Sequence, residues 1–368
     1  MYTTEQDIAA AKRLISPPGD TLKETIEHYG MSQLELATRM ARPEPAISEI
    51  ITGKKSITAD TALQLEMVLG ISADFWLERE RQYRLELAAI ERGEELLKQK
   101  DWVKQFPITD MIKHGWISST TKDVFALTQQ VLSYFGVASI EAYNNIYLSN
   151  KPTVAFRISL KKAPNHYALA TWLRRGQLDA QQLALEAYNK KAFIKTLEDI
   201  KKLVEKQPVD FKEQLQLLCA KCGVAVVFTQ NIKGVSISGA ARWINDGQNP
   251  LIQLTGRYKT NDILWFTFFH EAGHIIEHGK KEVFLENVDG IPYNEDKEKE
   301  ADAFAEKWLI NPKAFNAFLA EENFTEKAIK TFAKQEATHP AIVVGRLQKF
   351  GYLRYNDFTS LKSIIELF

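Results

Sequence analysis

The pentad His270-Glu271-Ala272-Gly273-His274 constrains this chain most. Side chains four residues apart lie on one face of an α-helix, so both imidazoles can hold one metal ion. Zinc suits that ligand type, and the glutamate beside the first histidine can take a proton from a water at the ion. The preceding residues, Ile263-Leu-Trp-Phe-Thr-Phe-Phe269, are apolar apart from Thr267. They predict a buried helix from about Asp262 to His278 that keeps water off one side of the pentad. Ala272 and Gly273 are small enough to let a neighbouring strand or a substrate come close.

A hydrolytic zinc site needs a third protein ligand and one open position. His278 lies eight residues beyond His270, about 12 Å of helix rise, too far to share one ion with it. Its place next to Gly279 fits a cation at a helix C-terminus. A second helix is expected from about Glu295 to Ile310, stopped by Pro312, and it carries Glu298-Lys-Glu-Ala-Asp302. Glu298 is the expected ligand and Glu300 the alternative. Asp302, one turn on, would accept a hydrogen bond from a ligand imidazole and fix its tautomer. Ala301 and Ala305 would let the two helices pack closely. Peptide hydrolysis also needs a donor for the developing oxyanion. His339, in Thr338-His-Pro340, is the first candidate, ahead of Tyr258 and Tyr293.

Composition bounds the rest. A chain of 368 residues predicts two or three domains. Its 45% hydrophobic and 26% charged content excludes a mostly disordered chain. Lys+Arg is 47 and Asp+Glu is 47, so a globally basic nucleic-acid coat is excluded while a local basic patch is not. Two cysteines exclude a disulfide scaffold. Cys219-Ala-Lys-Cys222 closes a helix and leads into a strand, the reverse of a redox pair, and no second pair completes a zinc ribbon; buried packing is expected. The start MYTTEQDIAAAKRL has no apolar signal core, and no apolar run approaches the ~20 residues that span a bilayer. The expectation is a cytoplasmic protein with no membrane partner.

Three regions are expected: residues 1–92, 93–204 and 205–368. In the first, Ser32-Gln-Leu-Glu35 reads as a capping box, Pro43 opens a helix over about Glu44–Thr52, and Thr58 starts another that ends at Gly70. Ser72 caps a fifth helix, entered through Phe75, Trp76 and Leu77. This is the grammar of a helix-turn-helix whose third helix enters the major groove. Ile47 and Ile50 should face inward and Ser48 outward. Arg42, Lys54 and Lys55 flank the recognition helix and would hold phosphates, with Glu44 and Ser48 toward the bases. Residues 20–80 carry 6 basic and 11 acidic residues, a balance of −5 that weakens DNA binding unless the module dimerises or is locally polarised. A charged helical connector (ERGEELLKQKDWVKQ) and a mainly helical stretch to about 220 follow, then short strands at Val224–Thr229, Val235–Trp243 and Leu251–Leu254. An extended peptide could pair with an exposed edge at 235–243. The fold class is mainly α with a small β-sheet.

Both ends resemble known families. Residues 18–84, with MSQLELA, AISEIITGKKSIT and FWLERERQYR, look like the XRE/Cro helix-turn-helix of HigA-type antitoxins, a lambda-repressor-like bundle. From about 205 onward, FTFFHEAGHIIEHGK, EKEADAFAEKWLINP and THPAIVVGRLQ resemble the ImmA/IrrE metallopeptidases, which are zincin-like. By motif position that resemblance implies His270, His274 and Glu298 as zinc ligands and Glu271 as the acid/base. It also implies cleavage of a helix-turn-helix repressor in a prophage, mobile-element or stress system, or regulation of a neighbouring toxin gene. Operator DNA, a cognate toxin and a second copy of the chain are the implied partners. The alternative is a HigA-like autorepressor whose zinc domain senses a signal or holds a toxin without turnover.

Overall fold

The computed structural model describes residues 4–118, 124–149, 160, 163–256, 260–279, 283–285 and 294–368. The chain forms two compact units, Met1–Lys104 with Ser119–Gln129 and Gln105–Ser118 with Gln130–Phe368.

The first unit begins with α1 (Glu5–Leu14), α2 (Pro18–His28), α3 (Gln33–Arg39), α4 (Glu44–Ile51), α5 (Ala59–Leu69) and α6 (Ala73–Lys98). Local chemistry sets most of these ends. Ser32, Thr58 and Ser72 each accept a backbone N–H in the first turn of the helix they precede, and Gly70 closes α5 at φ +72°. The capping box at Ser32 is only half formed, because the Glu35 carboxylate turns forward to Arg39 at 2.6 Å. The turn between α3 and α4 passes through Ala41 at φ +50°, and Pro43 then precedes α4. Leu22, Leu36, Ile47, Ile50, Leu65 and Trp76 form the core of this module. Leu34 is exposed.

The charged stretch after residue 90 differs from a free connector. It continues α6, because Ile90, Gly93 and Leu96 are buried and Lys12 on α1 pairs with Glu94 at 2.5 Å. A short α7 (Lys100–Val103) follows, and then α8 (Ile108–Lys113), α9 (Val124–Phe135), α10 (Ile140–Tyr143), α11 (His166–Ala180), α12 (Lys190–Lys206) and α13 (Phe211–Ala220). Residues 93–204 are thus divided between the two units. Their later part packs on the sheet: on α11, Gly176 leaves room for the buried Gln253, whose amide donates to the Trp172 carbonyl at 2.7 Å.

The sheet has the order β1 (Ala225–Thr229), β3 (Asn249–Thr255), β2 (Gly239–Ile244), β4 (Phe284–Leu285). β1 runs parallel to β3, and β2 is antiparallel to both β3 and β4, with Gly239 opposite Leu254 and Ala241 opposite Phe284. This corrects the expected peptide-pairing edge at 235–243: the strand starts at Gly239 and lies inside the sheet, with β4 paired to Ala240 and Ala241. Such a two-residue strand has no periodicity to reveal it in sequence.

Against the sheet lies α14 (Asn261–Glu277), with 14 of its 17 residues buried. It is followed by α15 (Glu295–Leu309), α16 (Pro312–Ala320), α17 (Glu326–Gln335) and α18 (Pro340–Lys349). Trp265, Phe268 and Phe269 of α14 join Val226, Ile252 and Leu254 of the sheet and Val343, Val344 and Leu347 of α18 in one core. Pro312 starts α16 as well as ending the preceding helix, with Asn311 as its cap. Cys219 and Cys222 are buried free thiols. Among the described residues no helix is long and apolar enough to cross a membrane.

Candidate metal centre and nucleic-acid face

Two helices build the metal centre. α14 presents His270 and His274 one turn apart, and α15 lies against it through the fully buried Ala301 and Ala305. Gly273 faces this second helix, where an added Cβ would stand 3.1 Å from the Phe304 Cβ. Gly273 therefore admits a helix side chain, Phe304.

The pairing brings Glu298 to the histidines. His270 Nε2 lies 3.0 Å from His274 Nε2 and 3.1 Å from Glu298 Oε2, and His274 Nε2 lies 3.5 Å from the same oxygen. Ligand atoms about 2.0–2.1 Å from a tetrahedral ion stand about 3.3–3.4 Å apart, so these three atoms fit three corners of one site. Their hydrogen bonds point the same way. His270 Nδ1 donates to Asp302 Oδ1 at 2.9 Å. His274 Nδ1 donates to His278 Nδ1 at 3.0 Å, and His278 Nε2 donates to Glu300 Oε2 at 2.9 Å, with the tautomers following from these partners. Both Nδ1 protons are committed, so both Nε2 atoms present lone pairs, beside a carboxylate. Three converging acceptors call for a cation.

The electrostatics favour the ligand forms. Burial pushes Glu298 up, but the His270 and His274 rings beside it outweigh that and lower the carboxyl to about 2, so positive charge is favoured where these three atoms meet. Burial also lowers His274, against the opposing pull of Glu298. At Asp302, burial raises the pKa, but the His270 hydrogen bond and the Lys349 charge bring it below the usual carboxylate range. Lys349 Nζ lies 3.1 Å from Asp302 Oδ2 and 4.6 Å from the Phe266 ring centroid.

Glu271 lies beside His270 and points toward β2. It is 1% exposed, and a Cβ on Gly239 would stand 2.7 Å from its Oε1. The absent side chain at 239 is what lets the strand lie over this carboxylate.

The structure does not bring His339 to this cluster. Its Nδ1 accepts from its own helix at Ala341 N–H, 3.2 Å, and from Asn261 Nδ2, 3.3 Å. Asn261 is nine residues before His270, about 13 Å of helix rise away. His339 caps α18 through its Nδ1. Tyr258 and Tyr293 lie outside the described residues. His278 is the C-cap residue of α14, but its ring is 3% exposed and is spent on His274 and Glu300, so Glu300 stands behind a histidine and outside the triad. Sequence reasoning missed this pair. The available signal was the four-residue step from His274 to His278.

In the first unit, Glu44, Ser48, Lys54 and Lys55 are exposed on and after α4, while Ile47 and Ile50 are buried. Arg42 differs: its guanidinium is held by Asp60 at 2.5 Å and Gln64 at 2.6 Å. The carboxylate already offsets its charge.

Comparison with known proteins agrees with both halves. Residues 22–76 match the helix-turn-helix family and residues 226–335 match the IrrE N-terminal-like domain. The second range contains His270, Glu271, His274, Glu298 and Asp302 and stops short of His339. The chain is similar to an uncharacterized HTH-type transcriptional regulator, YddM, of Escherichia coli, at 31% identity over 68 residues, covering 18% of this chain and 72% of that protein. It is also similar to the virulence-associated protein I of Dichelobacter nodosus, at 36% identity over 72 residues, 19% of this chain and 67% of that one. Among solved structures, an addiction module antidote protein of a HigA family from Coxiella burnetii is 34% identical (TM-score 0.21), covering 23% of this chain and 92% of its own. The Pseudomonas aeruginosa antitoxin HigA, solved with the higBA promoter, is 27% identical (TM-score 0.21), covering 22% and 89%. The chain belongs to the XRE-type helix-turn-helix regulators and carries an IrrE-like, peptidase-family domain behind that module.

Proposed function

We propose that this chain is a cytoplasmic transcriptional regulator that binds operator DNA as a homodimer and is also a zinc-dependent endopeptidase. Its substrate would be a repressor-type helix-turn-helix protein in a toxin–antitoxin, prophage or stress-response system. The observation that carries the enzyme half is the convergence of His270 Nε2, His274 Nε2 and Glu298 Oε2, all within 4.8 Å of one another, beside Glu271.

A zinc ion held by those three residues would supply an acidified water and a polarised scissile carbonyl. Glu271 takes the proton from the attacking water and returns it to the leaving amine, so no other base is needed. Asp302 keeps the His270 proton on Nδ1 and its lone pair on Nε2. The apolar wall of Phe268, Phe269 and Trp265 keeps bulk water from the far side of the helix.

The test is cleavage of purified candidate repressors by the wild-type chain and by Glu271→Gln at equal zinc content. Cleavage lost in the variant supports the reading; equal cleavage by both overturns the role of Glu271. A second reading draws on one observation: His270, Glu271 and His274 are each at most 3% exposed. Such a closed centre suits an antitoxin-like autorepressor whose zinc domain senses a signal or holds a cognate toxin. Zinc-loaded wild-type protein that cleaves nothing yet retains a toxin would favour it.

A further inference from the structure

His278 and Glu300 have no place in the chemistry above, yet their contacts are specific. The His278 ring is 3% exposed, accepts from His274 Nδ1 at 3.0 Å and donates to Glu300 at 2.9 Å. Phe284 of β4 lies flat on the His274 ring, with centroids 4.0 Å apart and planes 11° apart, and its centroid is 5.3 Å from that of His278. Flat stacking fixes the plane of an imidazole but not which way round it sits. A half-turn of the ring exchanges Nδ1 with a carbon, and packing alone resists that weakly. A hydrogen bond at Nδ1 settles both the flip and the tautomer, and leaves Nε2 as the lone pair.

We propose that His278 and Glu300 form a through-imidazole relay that positions His274. His270 reaches its carboxylate directly, at Asp302; His274 reaches Glu300 through an intervening ring. The carboxylate fixes the His278 proton on Nε2, which makes His278 Nδ1 an acceptor, which in turn fixes the His274 proton on Nδ1. The inference rests on the metal reading of His270, His274 and Glu298. His278 and Glu300 are positioning residues, since neither reaches the converging atoms.

The experiment measures zinc affinity by competition with a chromophoric chelator, and the visible spectrum of the cobalt(II)-substituted protein, for wild type, Glu300→Gln, His278→Phe, Glu298→Ala and Glu295→Gln. Loss of an outer hydrogen-bond partner costs ~10–100-fold in metal affinity. Zinc affinity is expected to fall about 10-fold in Glu300→Gln and ~10–100-fold in His278→Phe, with an altered cobalt spectrum in both. The melting temperature of metal-free Glu300→Gln should match wild type, because the Glu300 side chain is 64% exposed; a merely structural role would not separate these readouts. Should His278→Phe fold poorly, Glu300→Gln carries the test alone. Glu295 pairs with Lys299 at the surface of the same helix, and Glu295→Gln controls for lost negative charge. Wild-type affinity and spectrum in both relay variants, or a loss no greater than in Glu295→Gln, overturns the relay while zinc loss in Glu298→Ala leaves the site standing. No zinc on the wild-type chain overturns the site itself and the relay with it.

Discussion

Asp302 Oδ1 accepts the His270 Nδ1 proton at 2.9 Å, while the other nitrogen of that ring faces Glu298 at 3.1 Å. One imidazole is thus strung between two carboxylates a helical turn apart on α15. The outer one sets the tautomer that would let the inner nitrogen ligate a metal. Asp302→Ala is expected to lower zinc affinity by ~10–100-fold with the fold retained, measured by chelator competition alongside circular dichroism. An unchanged affinity would remove Asp302 from the site.

The parts of the site that sequence reveals are those that depend on helix periodicity. His270 and His274 share a face because they are four residues apart, and Glu298 and Asp302 do so for the same reason. The parts it hides depend on how two helices and a strand meet. Glu300 is two residues from Glu298 and so points elsewhere along α15, and only the packed pair shows that it reaches His278. The covering of β2 depends on a strand of two residues, Phe284 and Leu285, too short for any pattern. A histidine before a proline reads equally as a site residue or as a cap, and the capping contacts of His339 with Asn261 and Ala341 are not legible in the sequence. In the first unit the caps were legible at Ser32, Thr58 and Ser72. The salt bridge from Arg42 to Asp60, eighteen residues apart, was not.

That salt bridge bears on DNA binding. The Asp60 side chain is 75% exposed and holds Arg42 close to the start of α4. Asp60→Asn removes a negative charge from the proposed DNA face and leaves the Arg42 guanidinium with neutral partners only, Gln64 among them. Tighter binding to the operator of its own gene is expected, with the salt dependence steepened by about one phosphate contact, a slope change of about −0.9. Gel shifts across a salt series check this. Arg42→Ala should cancel the gain; if Asp60→Asn binds as wild type, Arg42 does not reach a phosphate.

His339 predicts a pH dependence of stability. Burial holds its folded pKa below the ordinary 6.5, and protonation would remove the acceptor that caps α18. As pH falls below 6.5 the unfolded chain takes up the proton first, so the native state loses stability toward the lower folded pKa and keeps it in full above 6.5. Asn is a good cap that does not titrate. His339→Asn should therefore flatten the fall in urea midpoint as pH drops below about 6.5 and leave the midpoint at pH 8 nearly unchanged. The same slope in variant and wild type would place the titration elsewhere.

Gly239 ties the sheet to the proposed acid/base. An added Cβ would stand 2.6 Å from Thr267 Cγ2 and 2.7 Å from Glu271 Oε1. The threonine methyl is fixed on a buried helix, and β2 is held on both sides by β3 and β4, so neither can yield without cost. The Glu271 carboxyl can rotate, and it is the group whose position matters. Gly239→Ala is expected to destabilise the second unit by about 1–3 kcal/mol, as overpacking does, and to reduce peptide cleavage at least tenfold. Zinc content should hold, because the atoms nearest an added Cβ belong to Thr267 and Glu271 and to none of His270, His274 or Glu298. Urea unfolding, metal analysis and the cleavage assay separate these effects. Full turnover in Gly239→Ala would mean that Glu271 works from another position than the one under β2.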